Sequence, residues 1–234
     1  MKTLRRLLIT MLGFGLTDGH GRLMEPPARN SMWRFGFLNP VNYNDNELFC
    51  GGMDKQFNEN DGRCGICGDS ASDPRPQTHE TGGEFGNRII SKTYVTGSVI
   101  GLEIDITANH KGSFQLKLCP LGPGDSEATQ ACLDKHPLTQ VDGSALFPIT
   151  EVPHTVTLTR TARLPPGLTC ARCVLQWTWR SANSWGNCGN GTGVRANKGA
   201  WKKSVMYVHC ERSTNAIVLV YTCTALNYLR VFGV

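Results

Sequence analysis

The chain has 234 residues, of which 40% are hydrophobic, 18% are charged and 26 are glycine. This composition fits one globular domain and excludes composition-driven disorder. Lys2, Arg5 and Arg6 against Asp18 account for two of the +5 formal charges, and what remains is too small and too dispersed to point to nucleic acid.

The first residues have the layout of a secretory signal. A basic start at Lys2, Arg5 and Arg6 precedes the apolar run Leu7 to Leu16 and the small residues Thr17-Asp18-Gly19. The run is too short to span a bilayer. Cleavage after Gly19 makes residues 1–19 a signal peptide and His20 the first residue of a secreted, extracellular chain.

From Arg22 to about Arg88 the sequence is rich in Gly, Asn, Pro and Asp with no sustained period, which predicts long loops and short helical turns. Ile100, Leu102, Ile104, Ile106 and Ala108 then alternate with polar residues, the period of a half-buried strand. Phe114, Leu116 and Leu118 predict a second strand, with Asn109-His110-Lys111-Gly112 between them as a hairpin turn. Further strands are expected at Thr155 to Thr159 and at Cys173 to Trp179, where Leu175, Trp177 and Trp179 share a face. Glu103 and Asp105 fall on the polar side of their strand and read as solvated. The segment Ala216 to Leu226 is β-prone and below the roughly 18 residues of a membrane span. Short strands separated by turns, without a long amphipathic helix, predict an all-β sandwich with a long N-terminal loop region.

Ten cysteines in an exported chain read as a disulfide framework, drawn from Cys50, Cys64, Cys67, Cys119, Cys132, Cys170, Cys173 and Cys188; sequence alone does not choose the pairing. The two C-x-x-C pairs, Cys64/Cys67 and Cys170/Cys173, have the form of a structural zinc site, but such sites belong mainly to reducing compartments. Asn190-Gly191-Thr192 is a glycosylation sequon that agrees with export.

A histidine at a mature N-terminus chelates a metal ion through its α-amine and Nδ1, and a second imidazole completes a planar set of three nitrogens that suits copper. His20 supplies the first two donors, and His110, loop-borne like His20, is the expected third. His79, His136, His154 and His209 lack such a context and read as surface or structural residues. Trp33, Tyr43, Trp177 and Trp185 are aromatic candidates for stacking on sugars, with Trp177 assigned to the core by its alternation. Paired carboxylates placed for hydrolysis, a nucleophile elbow, a phosphate-binding loop and a dinucleotide fingerprint are all missing from the sequence.

His20-Gly21-Arg22-Leu23-Met24-Glu25-Pro26-Pro27-Ala28-Arg29, Cys50-Gly51-Gly52, Cys64-Gly65-Ile66-Cys67-Gly68-Asp69, Ala108-Asn109-His110-Lys111-Gly112 and Trp177-Thr178-Trp179 through Asn183-Ser184-Trp185-Gly186 occur in order. Together they resemble the insect-type lytic polysaccharide monooxygenases, auxiliary activity family 15, from His20 to about Gly193. The resemblance implies an immunoglobulin-like (fibronectin III-like) sandwich in residues 20–193. It also implies one copper ion held by His20 and His110, and oxidative cleavage of crystalline chitin or cellulose, with chitin and C1 attack favoured. An external reductant and either hydrogen peroxide or oxygen would be co-substrates, and the enzyme is expected as a monomer without membrane or nucleic-acid partners. Ala108 resembles a small residue that leaves room beside the open axial position.

Residues 194–234 depart from the family, which continues into a strand carrying an axial Phe or Tyr. The departure reads as a retained intron, an alternative isoform or a gene-model error. It is expected to expose a sheet edge and orphan a cysteine. Cys210 and Cys223 are substitute partners, and Tyr207, Tyr221 and Phe232 are stand-ins for the axial residue. The competing readings are a non-catalytic polysaccharide-binding or cuticle-associated protein, an inactive splice isoform, and a secreted disulfide-stapled interaction domain.

Overall fold

The structure, a computed structural model, describes residues 20–150 and 153–181 in full and the backbone of a strand at 216–225. The strands are β1 (His20–Glu25), β2 (Ile90–Tyr94), β3 (Val99–Ala108), β4 (Gly112–Pro120), β5 (Phe147–Ile149), β6 (Val156–Arg163), β7 (Cys170–Arg180) and β8 (Ala216–Ala225). Helical structure among the described residues is a 3-10 turn at Met32–Phe35, a π-type turn at Lys55–Glu59 and one α-turn, α1 (Gln130–Leu133).

Two sheets form the sandwich, one in the order β1-β3-β6 and one in the order β2-β8-β7-β4-β5. Alternation fills the space between them. Leu102, Ile104 and Ile106 of β3 and Leu23 of β1 meet Phe114 and Leu116 of β4, Phe147 of β5, and Leu175, Trp177 and Trp179 of β7, all fully or almost fully buried. Phe114 stacks on Phe147 with ring centroids 4.8 Å apart. Each such side chain contributes about 1.5–3 kcal/mol by leaving water. The all-β expectation holds, and Trp177 is core, with no exposed face for sugar.

β7 is buried on both faces. Its outer residue Val174 packs with Cys67, Cys119, Ala128 and Leu133 in a second cluster. Gln176, also buried there, donates from Nε2 to the Ile66 carbonyl at 3.0 Å. The continuous apolar stretch of β7 therefore records a central strand covered on both sides.

Several expectations change. β3 and β4 lie in different sheets, so Asn109-His110-Lys111 is not a hairpin but a crossover at one end of the sandwich. Alternation marks both strands as half-buried, but it carries no information about which strands pair. The region from Arg22 to Arg88 is loops and short turns as expected, except that its start belongs to β1, whose few residues bury only Gly21 and Leu23 and so show almost no period. β2 and the three-residue β5 are also too short to be legible.

Among the described residues the disulfides are Cys50–Cys64, Cys119–Cys132 and Cys170–Cys173. Cys67 is buried and has no disulfide partner among the described residues. With Cys64, Cys170 and Cys173 all oxidised, the two C-x-x-C pairs do not make a zinc site. Cys188, Trp185, Asn190, Tyr207, His209, Cys210 and Phe232 lie outside the described residues.

The tail is the largest correction. β8, formed from the β-prone segment, lies antiparallel to β7 and parallel to β2, so the β7 edge is paired and not exposed. Tyr221 is in register with Leu175, well along the strand from Ala216, which is in register with Arg180 at the His110 end. That position does not suit the axial role. Cys223 is in register with Cys173.

Candidate metal centre

β1 runs antiparallel to β3 with His20 in register with Ala108. Adjacent strands lie about 4.8 Å apart, and His110 follows Ala108 by two residues in the crossover. The two histidines, separated by 90 positions in the chain, thus converge at one end of the sandwich. Gly21 permits this approach: a Cβ there would meet the Asp105 carbonyl at 3.0 Å and Ile106 Cδ1 at 3.1 Å.

The crossover carrying His110 is tied down on every side. Asn109 donates from its backbone N–H to the His154 carbonyl at 2.8 Å and from Nδ2 to the Pro153 carbonyl at 3.1 Å. Its Oδ1 accepts from the Lys111 N–H at 2.8 Å, an Asx turn around His110. The core indole of Trp179 donates to the Lys111 carbonyl at 2.8 Å. Lys111 and Gly112 both have positive φ, 57° and 91°, and a Cβ at Gly112 would lie 2.0 Å from the Arg180 carbonyl. Only glycine fits that position.

The His20 side is framed by the segment Asp45-Asn46-Glu47. Asp45 is fully buried and accepts from Arg22 Nη1 at 2.8 Å and Arg34 Nε at 2.6 Å, while Asn30 donates to its carbonyl. Arg22 also donates to Asp105 at 3.3 Å, and Thr157 donates to the same carboxylate at 2.7 Å. Asp105 is therefore a paired structural group; its expected role as a simply solvated residue is corrected. The Asn46 carbonyl accepts from the Gly21 N–H at 3.1 Å, and Asn46 Nδ2 donates to Thr107 Oγ1 at 2.7 Å. Glu47 Oε1 lies 3.2 Å from His20 Nε2, and the Phe49 ring meets the His20 ring edge to face, with centroids 6.3 Å apart.

The chemistry of this donor set fits copper. With the Glu47 carboxylate near Nε2, Nδ1 is the ring nitrogen that would be left to close a chelate with an α-amine of the same residue. No group of three or more His, Cys, Asp or Glu able to hold a metal occurs among the described residues. If residues 1–19 were removed, the α-amine of His20 would join the two imidazoles as a third nitrogen, and an all-nitrogen set of this kind suits copper.

The other described histidines stand apart. His79 is buried, with Nδ1 2.8 Å from Asp69, Nε2 3.3 Å from Asn42 and its ring stacked on Phe85 at 4.9 Å. His136 is half-buried and His154 exposed. Of the aromatic candidates, Tyr43 is 87% exposed on the segment that leads into Asp45. Trp33 supports it edge-on at 5.6 Å and is itself capped by the Arg34 guanidinium 4.4 Å from its ring centroid. The framing residues Asp45, Asn46 and Glu47 escape sequence reasoning, because their partners at Arg22, Gly21, Thr107 and His20 are distant in the chain.

Beneath the loop region, Arg29 donates to Glu127 Oε2 at 2.6 Å and to the His79 carbonyl at 2.8 Å. Burial acts to raise the Glu127 carboxyl. The Arg29 charge and hydrogen bonds from Arg29, Ala128 and Thr81 overcome it and hold the group below its usual range. Burial pushes the nearby Cys67 thiol well up, despite the opposing Arg29 charge.

The fold is a two-sheet β-sandwich that brings two histidines to one end, and comparison with known proteins gives it a family. The family model described as lytic polysaccharide mono-oxygenase, cellulose-degrading, matches residues 20–190. The AA15 lytic polysaccharide monooxygenase from Thermobia domestica in the Cu(I) state is 38% identical. The match covers 88% of this chain and 98% of that one, with a TM-score of 0.78. An AA10 lytic polysaccharide monooxygenase from Streptomyces lividans is 13% identical over 88% of this chain and 99% of that one, with a TM-score of 0.47. No curated protein matches. The chain belongs to the lytic polysaccharide monooxygenases of auxiliary activity family 15, which are copper-dependent oxidoreductases acting on polysaccharides.

Proposed function

We propose that removal of residues 1–19 frees the amine of His20, and that this amine, His20 Nδ1 and the His110 ring hold one copper ion. The observation that carries the reading is the β1/β3 register, which sets His20 against Ala108 two residues from His110. The secreted monomer then cleaves crystalline chitin oxidatively at C1. Bound copper supplies one-electron activation of hydrogen peroxide or oxygen once an external reductant has reduced it.

The chain's own residues set the conditions for that chemistry. The Asn109 and Trp179 hydrogen bonds hold His110 in place, so the site needs little rearrangement on loading. Ala108 keeps the strand end small beside the two imidazoles. Tyr43 projects from the loop that frames His20 and offers a ring for stacking on the flat face of a polymer. The chitin assignment rests on the resemblance to the insect-type enzymes. Cellulose is the second reading, favoured by the description of the matching family.

Mass spectrometry of soluble products tests both. Mature, copper-loaded protein with ascorbate is incubated with crystalline chitin and, separately, with cellulose. Aldonic-acid oligosaccharides from chitin, absent without copper or reductant, are expected. Products from cellulose alone replace the substrate assignment, and products from neither, in a protein that binds no copper, overturn the enzymatic reading in favour of a polysaccharide-binding protein.

A further inference from the structure

We infer that Glu47 is a positioning residue for the copper site, acting through His20. The inference rests on the reading of His20 and His110 as ligands. Glu47 Oε1 lies 3.2 Å from His20 Nε2. A carboxylate at that distance is placed to accept a hydrogen bond from Nε2–H and so to favour the tautomer whose lone pair is on Nδ1, the nitrogen that chelates together with the amine. A ring without that partner is free to rotate about its side-chain bonds or to carry its proton on Nδ1, and in either state the chelate is not preformed.

Glu47 is itself held in place. The preceding residue Asn46 accepts from the Gly21 N–H at 3.1 Å and donates to Thr107 Oγ1 at 2.7 Å, so it bridges the start of β1 to the end of β3. Asp45, fully buried, is clasped by Arg22 of β1 and by Arg34. Phe49, two residues beyond Glu47, meets the His20 ring edge to face. One short segment therefore touches both strands that deliver the histidines, and its carboxylate ends on the ring nitrogen that the metal does not use. Carboxylates that orient ligating histidines are worth roughly 10–100-fold in metal affinity or activity.

The test uses the mature protein with a free His20 amine. Calorimetry measures Cu(II) affinity and electron paramagnetic resonance records the Cu(II) spectrum, for the wild type, Glu47→Ala, Glu47→Leu and Glu47→Gln, with His110→Ala as the control. Thermal unfolding of each metal-free protein checks the fold. Glu47→Ala and Glu47→Leu are expected to lose about 10-fold or more in affinity and to shift the copper spectrum, with metal-free stability close to wild type. Glu47→Gln keeps an oxygen acceptor for Nε2–H and is expected to recover most of the affinity and the wild-type spectrum. If Glu47→Ala and Glu47→Leu bind copper as the wild type does, with an unchanged spectrum, while His110→Ala has lost it, Glu47 does not position the site and the ligand reading stands. If His110→Ala retains wild-type binding, the ligand reading fails and this inference fails with it.

Discussion

Gly112 stands where β4 leaves the crossover that carries His110. Its φ of 91° and the 2.0 Å approach of the Arg180 carbonyl to a would-be Cβ leave no accommodation short of moving the backbone. Gly112→Ala is expected to cost at least about 1–3 kcal/mol from the strained backbone alone, with the collision adding to it, and to weaken copper binding by displacing the turn. Gly101 in β3 is the internal comparison, because a Cβ there meets nothing within 4 Å; Gly101→Ala is expected to stay within about 0.5 kcal/mol of wild type. Paired thermal unfolding curves check both, and equal effects at the two glycines would refute the steric argument.

β8 decides whether the larger sheet is whole. It lies between β2 and β7, so its removal takes a partner from both at once. A chain ending at Gly193 is expected to expose the β7 edge, melt at a lower temperature and elute as oligomers in size-exclusion chromatography. A truncated protein that remains monomeric with unchanged unfolding would mean that β8 contributes nothing to the sheet. β1 shows the converse economy. Its few residues hold one edge of the smaller sheet, yet through Gly21 and Arg22 they anchor the Asp45–Glu47 segment and set His20 opposite Ala108.

The fold also links its loop region to its sandwich through charge. Arg29 and Glu127, both largely buried, join the segment after β1 to the segment before α1. Because Glu127 is held below its ordinary value in the folded chain, its contribution to stability is fully present above the unfolded value of about 4.3. That contribution is lost as pH falls through the lower folded value. The unfolding midpoint is therefore expected to drop as pH goes below about 4, and Glu127→Gln is expected to be less stable at neutral pH and to show a shallower acid decline. Parallel declines in the two proteins would place the acid sensitivity elsewhere.

Alternation was enough to locate β3, β4, β6 and β7, because a strand half-buried in a core writes a period of two into its own residues. His20 and His110 are proposed as ligands for a different reason: the one stands at an expected cleavage point and the other in a turn rich in Asn and Gly. Local pattern stops there. It did not reveal that β3 and β4 join different sheets, that Cys50 pairs with Cys64 while Cys170 pairs with Cys173, or that the tail supplies a strand beside β7. Nor did it reveal Asp45, Asn46 and Glu47, whose partners are brought to them by the β1/β3 pairing. A residue's burial is recorded in its near neighbours. Its contacts across the sandwich are chosen by chain closure over tens of residues, and only the tertiary structure carries that choice.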